Sequence, residues 1–229
     1  MRREAFHDSR PGRPGDLEAL WPLHLKGMKR RLKSTVRAAL VRTLEASSSR
    51  LGYELRPTNK YVYQSETSKC RKRLQRYCTG TGVDIGFGGD PINDHAIRID
   101  LPHPYACTGD ASVQLSGDAR SLPWFSSGVL DFVYSSHLLE DFMDTTEVLS
   151  EWLRVLKVGG YLIIFCPDEQ VYRKHCIKTN QAYNTHHVHA TFSSAFVKDI
   201  LYRIGNTQVI HECSLVDDYS WELVCRKVS

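Results

Sequence analysis

The stretch Val83-Asp84-Ile85-Gly86-Phe87-Gly88-Gly89-Asp90-Pro91 decides how this chain is read. A short strand, Val83 to Ile85, runs straight into three glycines. Glycine reaches backbone conformations closed to other residues and carries no side chain, so bare main chain can approach a ligand lying across the strand's carboxyl end. A glycine-rich turn alone does not name that ligand, and some such clusters are no more than tight turns.

Working outward, strand-like and helix-like stretches alternate, as expected of a mainly parallel sheet covered by helices. A second strand is expected over 96–99. Residues 129–134 and 161–166 have the apolar character of buried central strands. Between them lies the clearest helix: Val148, Leu149, Trp152, Leu153 and Leu156 share one face. Asp144 and Glu147 offer a capping-box-like start, and Gly159 with Gly160 an end. A second helix is expected over 194–204, stopped by Gly205. Strands over 208–213 and 219–227, joined through Val216, Asp217 and Asp218, suit an antiparallel hairpin.

The 229 residues are 41% hydrophobic and 24% charged, ordinary globular values that exclude disorder throughout, collagen and small disulfide scaffolds. The seven cysteines form no Cys-x-x-Cys pair and read as reduced and structural. No window approaches the roughly 20 apolar residues of a membrane span, and the first residues lack a signal-peptide core, so a cytoplasmic location is expected.

Charge is unevenly spread. Residues 1–80 carry 19 Lys and Arg against 7 Asp and Glu, a surplus of +12, whereas the remainder carries 11 against 19, or −8. Residues 1–16 show no apolar periodicity and are expected to be poorly ordered. From about Leu23 to Ala46, Met28, Leu32, Val36, Leu40 and Leu44 recur every four residues among Lys and Arg, the pattern of a basic amphipathic helix. We therefore place a basic, partly helical extension at 1–60 and a catalytic-type domain at 61–229. The extension suits an anionic partner or is simply a solvated leader.

Three aspartates sharpen the glycine turn. Asp100 follows the second strand, where a carboxylate accepts from both hydroxyls of a ribose. Asp118, in Ser116-Gly117-Asp118-Ala119-Arg120, ends the third strand and suits an exocyclic adenine amine, and Asp84 suits an ammonium group. Together they describe a nucleoside bearing an amino-acid tail.

At this point the sequence resembles the class I S-adenosylmethionine-dependent methyltransferases, in particular the branch acting on small molecules. The resemblance spans about Gly82 to Lys227 and rests on blocks in the family's order. Asp84-Ile85-Gly86-Phe87-Gly88 resembles the first motif, Asp100 the ribose acid, and Gly117-Asp118-Ala119 the adenine block. The stretch from Leu130 through His137 to Glu140 is similar to the fourth strand and its turn, and Leu156 to Leu162 to the turn into the fifth strand. It implies a Rossmann-like α/β fold with a C-terminal antiparallel hairpin and S-adenosylmethionine as cofactor, leaving as S-adenosylhomocysteine. Asp84, Gly86, Gly88, Gly89, Asp100, Gly117, Asp118, Ala119 and Ser135 are the implied cofactor residues. The chain departs from the pattern at Asp90, where relatives have a third glycine, and at Asp141, where many have a second histidine. Only 14 residues separate Gly86 from Asp100, so the first crossover helix must shrink to a turn or a loop.

Methyl transfer to a hydroxyl calls for a base, and bases are expected beyond strands four and five. His137, Asp168, His187 and His189 are the candidates. His186, His187 and His189 lie close together, but no Cys or carboxylate framework accompanies them, so no metal site is assigned. The leader resembles those of methyltransferases of cell-surface glycan synthesis, which makes a small-molecule or glycan hydroxyl the leading acceptor. RNA contacted through the basic extension is the alternative, as is a protein acceptor. A silent, cofactor-fold binding subunit also remains open, whereas a nicotinamide oxidoreductase would need glycine at Pro91.

Overall fold

The computed structural model describes residues 64–104 and 109–229, together with Leu40 and Thr43. The chain divides into two units, Met1–Tyr61 and Val62–Ser229. Of the first only Leu40 and Thr43 are described, both helical. The unordered stretch expected at 1–16, and the remainder of the basic helix expected at 23–46, lie outside the described residues.

The second unit opens with α1 (Glu66–Leu74), a helix for which the sequence reading holds no expectation. Ser65 caps it, its Oγ accepting the Ser68 N–H at 2.9 Å, and Thr67, Cys70 and Leu74 make its buried side. There follow β1 (Gly82–Ile85), β2 (Ile97–Asp100), β3 (Leu115–Ser116), β4 (Leu130–Ser136), α2 (Thr145–Val155), β5 (Leu156–Pro167), α3 (Glu169–Thr179), α4 (Ser194–Ile204), β6 (Thr207–Val216) and β7 (Ser220–Lys227). The seven strands form one sheet in the order β3-β2-β1-β4-β5-β7-β6. β3, β2, β1, β4 and β5 run parallel, while β7 pairs antiparallel with β5 and β6 with β7. This is the Rossmann-like arrangement with its closing hairpin. The strand order reverses between β1 and β4, and the crevice beyond their carboxyl ends is where ligands of open α/β sheets gather.

Alternation along β4 and β5 divides the core. Val133, Leu162, Ile164 and Cys166 point to the face covered by α2 and α4, against Trp152, Leu149, Val197 and Leu201. Phe132, Tyr134, Ile163 and Phe165 point to the other face, against Cys70 and Leu74 of α1. Cys70, Cys78, Cys166, Cys176, Cys213 and Cys225 are free thiols, all but Cys213 buried.

Two local expectations are corrected. Asp144 precedes α2 without a side-chain cap; its carbonyl, not its carboxylate, accepts from Glu147 and Val148. Gly159 and Gly160 do not end that helix either, because β5 begins at Leu156, directly after Val155. The glycines serve the strand, where pairing with β4 slips between Leu130 and Phe132. A Cβ on Gly160 would lie 3.0 and 3.1 Å from the carbonyls of Asp131 and Leu130, and Gly159 has φ +88°. Between β1 and β2, as the short spacing requires, there is no helix: residues 86–96 are turns and bends.

Candidate active site

The glycine turn leaves β1 at its carboxyl end. Gly86 has φ +70°, and a Cβ there would come within 2.7 Å of Leu138. Its N–H donates to the Ile99 carbonyl at 2.8 Å, which fixes the turn beside the end of β2. There Asp100 accepts the Gly88 N–H on Oδ2 at 3.1 Å and the Leu101 N–H on Oδ1 at 2.8 Å. Partial burial raises the Asp100 pKa, and the two amide donors work against that rise.

Two cavities meet at this turn, sharing Gly86, Asp100 and Leu138. The larger, of about 500 Å³, has Gly117, Asp118, Ala119 and Arg120 on one wall and Thr185, His186 and Val188 on another. The smaller, of about 110 Å³, is lined by Ser65, Glu66 and Thr67 of α1 with Gly88, Ser136 and His137. Asp100 and Asp118 thus address one space. Asp118 is hydrogen-bonded by the Arg120 guanidinium, which holds its carboxyl below the usual range.

The residues fit a nucleoside with an amino-acid tail. The larger space is within the size range of small-molecule sites. Asp100 stands at the junction where a sugar would lie. Ser136 lines the smaller cavity, and its buried Oγ has no hydrogen-bond partner among the described residues.

Not every residue singled out from sequence lines these spaces. Asp84 is fully buried; its Oδ2 accepts the Ile92 N–H at 2.6 Å while Oδ1 is unpartnered, and burial pushes its pKa up to about 8. It ties the glycine turn's far side to β1 rather than facing either cavity. Ser135 is likewise turned inward, its Oγ donating to the Ile85 carbonyl at 3.0 Å. The strand's alternation hands the cavity to Ser136 instead. Gly89 contributes main chain only, packed against Gly109.

Among the candidate bases, His137 alone lines a cavity. It carries an unusual φ of +48°, and its N–H donates to the Phe165 carbonyl at 2.8 Å. Its Nε2 lies 3.1 Å from Ser220 Oγ and 3.3 Å from Glu66 Oε2. Burial lowers its pKa to about 4, so the imidazole is neutral at pH 7. Asp168 caps α3, accepting the Val171 N–H. The His187 ring is almost wholly buried, with Nδ1 2.8 Å from Glu169 and Nε2 3.7 Å from Glu140. His189 Nε2 lies 2.8 Å from the Phe142 carbonyl and 3.1 Å from Thr145 Oγ1, and its ring stacks on Phe192. These last two anchor the segment between α3 and α4, which brings Thr185, His186 and Val188 over the larger cavity.

Sequence reading missed Glu66 and Ser136. Glu66 carried the only usable signal: Ser65 followed by Glu66, Thr67 and an every-fourth pair, Cys70 and Leu74, is a helix start inside a basic run. Glu66 accepts from Lys69 at 2.7 and 2.8 Å and from Tyr219 at 3.2 Å.

Residues 74–164 match the family model described as a methyltransferase domain. No curated protein matches the chain. Among solved structures, a Pyrococcus horikoshii protein aligns with TM-score 0.57 and 18% identity, over 74% of this chain and 92% of that one. A SAM dependent methyltransferase from Aquifex aeolicus aligns at 0.53 and 15% identity, over 72% and 94%. Another from Archaeoglobus fulgidus aligns at 0.53 and 18% identity, over 72% and 96%. The match over residues 74–164 supports a methyltransferase domain, and the fold is the Rossmann-like one shared with these solved methyltransferases. S-adenosylmethionine-dependent methyl transfer is the activity that this match and fold support.

Proposed function

We propose that this enzyme methylates a hydroxyl of a small-molecule or glycan acceptor, with His137 receiving the proton. The observation that carries this reading is the neutral imidazole of His137 on the wall of the smaller cavity, 3.3 Å from a carboxylate of α1. When bound, the cofactor supplies a sulfonium methyl group whose thioether leaving group needs no acid. The protein's task is then alignment, exclusion of water and removal of the acceptor proton. His137 takes that proton as the new O–C bond forms, and Glu66 stabilises the imidazolium produced. Burial works against charge on Glu66, but His137, the Lys69 ammonium and hydrogen bonds from Lys69 and Tyr219 hold the carboxyl below its usual pKa.

In this reading Asp100 accepts from the ribose, Asp118 and Ala119 border the base, and Gly86, Gly88 and Gly117 supply main chain. Ser136 meets the amino-acid tail. Tyr219 stands next to His137, their ring centroids 6.0 Å apart, and lies 5.1 and 5.0 Å from the rings of Tyr172 and His175. Such ring faces suit the C–H surfaces of a sugar or another planar-faced acceptor.

An RNA acceptor finds less support in the described residues. Lys69, Arg71 and Arg73 of the basic run are engaged with Glu66, Asp90, Asp217 and Glu222 rather than left for phosphates. Among the described residues no helix is long and apolar enough to cross a membrane. Incubating candidate glycans, nucleosides and RNA with deuteromethyl-labelled cofactor, followed by mass spectrometry, tests the proposal. Label on a hydroxyl oxygen of a small molecule or glycan supports it; label confined to RNA or protein overturns it.

A further inference from the structure

A parallel crossover is usually made by a helix, whose first turn also fixes the loop leading into it. Here residues 86–96 provide none, although the turn holds three glycines at positive φ, Gly86, Gly88 and Gly89. Glycine has the most conformational freedom to lose, so an unsupported turn of this composition would be poorly fixed.

Besides the Gly86–Ile99 and Gly88–Asp100 hydrogen bonds, support comes from two other places. Asp90 follows the last glycine, and its carboxylate accepts from Ser65 Oγ and, at 2.5 Å, from Arg71 Nη2. The same guanidinium nitrogen donates to the Pro91 carbonyl at 2.9 Å. Ser65 and Arg71 are the cap and the second turn of α1, so one helix grips the end of the turn twice. On the other side, main chain crosses main chain: a Cβ on Gly89 would lie 2.3 Å from the Gly109 carbonyl oxygen, and Ala111 N–H donates to the Gly89 carbonyl at 3.0 Å.

We propose that Asp90, held by Arg71 and Ser65, is a positioning residue that fixes the glycine turn for the amino-acid end of the cofactor, doing from α1 what a crossover helix would do. The inference rests on the methyltransferase assignment. Its direction follows from placement. Ser65, Glu66 and Thr67 at the start of α1 line the smaller cavity, whereas the larger is walled by the ends of β2 and β3 and by the segment at 185–188. Loss of the grip should therefore be felt at the tail and not at the nucleoside.

Calorimetry with two probes separates these effects: S-adenosylhomocysteine, which carries the tail, and methylthioadenosine, which lacks it. Wild-type protein should bind both. Asp90→Ala should bind S-adenosylhomocysteine at least tenfold more weakly while its affinity for methylthioadenosine changes less than twofold. Asp90→Asn, which keeps an acceptor oxygen, should recover most of the loss. The double variant Arg71→Ala with Asp90→Ala should be no worse than Asp90→Ala alone, as expected when two residues act as one unit. Equal losses for both probes, or no loss for either, would overturn the proposal. If Asp90→Ala does not fold, Arg71→Ala read with the same two probes decides by the same criterion. A wild-type protein that binds neither probe would overturn the cofactor assignment itself, and the clamp's role with it.

Discussion

Asp100 Oδ2 accepts the Gly88 N–H at 3.1 Å, so the carboxylate that ends β2 is tied to the turn that ends β1. One group therefore shapes the glycine turn and borders both cavities. Replacing it with alanine should weaken S-adenosylhomocysteine binding by about 1 to 3 kcal/mol, the usual cost of losing charge-assisted hydrogen bonds. Titration calorimetry checks this, and an unchanged affinity would remove Asp100 from the site.

Adjacent serines separate binding from folding. Ser136→Ala should reduce affinity for S-adenosylhomocysteine with little effect on thermal stability, because its hydroxyl has no partner among the described residues to lose. Ser135→Ala should do the reverse. It deletes a buried bond to the Ile85 carbonyl, worth about 1 kcal/mol, and leaves affinity nearly untouched. Melting curves recorded with and without ligand distinguish the two outcomes.

His137→Gln should lower the single-turnover methylation rate by about 10²- to 10⁴-fold, the range expected for a general base. Affinity for S-adenosylhomocysteine should stay within a few-fold of wild type. Because burial lowers the His137 pKa to about 4, the acid limb of the wild-type rate should fall near that pH and not near 6.5. A rate unaffected by the substitution would return the search for a base to Glu66 and its surroundings.

Stability should decline from about pH 6.5 to pH 8. Asp84, whose folded pKa is raised to about 8, stays protonated in the native state while the unfolded chain ionises, so its contribution falls as pH rises from about 4 to 8. Burial also pushes the Glu140 pKa well up, with the same sign. His137 acts oppositely: its pKa is lowered to about 4, so stability is gained as pH rises from 4 to 6.5. The two trends oppose each other below 6.5, and only the decline remains above it. Asp84→Asn should flatten that decline, which denaturant unfolding at pH 6.5 and 8 would reveal.

Much of the architecture was legible because it depends on local pattern. The apolar runs of β4 and β5 and the amphipathic spacing in α2 and α4 are properties of neighbouring residues, and α4 falls at Ser194–Ile204 as the periodicity predicts. The shortened crossover followed from chain length alone. What failed depended on direction and environment. Ser135 and Ser136 are chemically identical in sequence, and only the pleat of β4 decides which faces the cavity. Asp84 sits at the motif position expected to greet an ammonium, yet the backbone N–H of Ile92, eight residues on, claims its carboxylate. Helix α1 was hidden because its basic residues belong to the charge surplus of the first 80 residues, whereas Lys69 pairs with Glu66 in the same helix and Arg71 and Arg73 are spent on partners distant in sequence. His187 and His189 looked like proton acceptors, but carboxylates and carbonyls from other elements make them anchors.

The crossing of Gly89 over Gly109 has an evolutionary side. Because two main chains touch there, no enlargement at one position can be offset by a reduction at the other, as happens between packed side chains. Saturation mutagenesis should find both sites intolerant together, a linked pair that drift cannot reshape one step at a time.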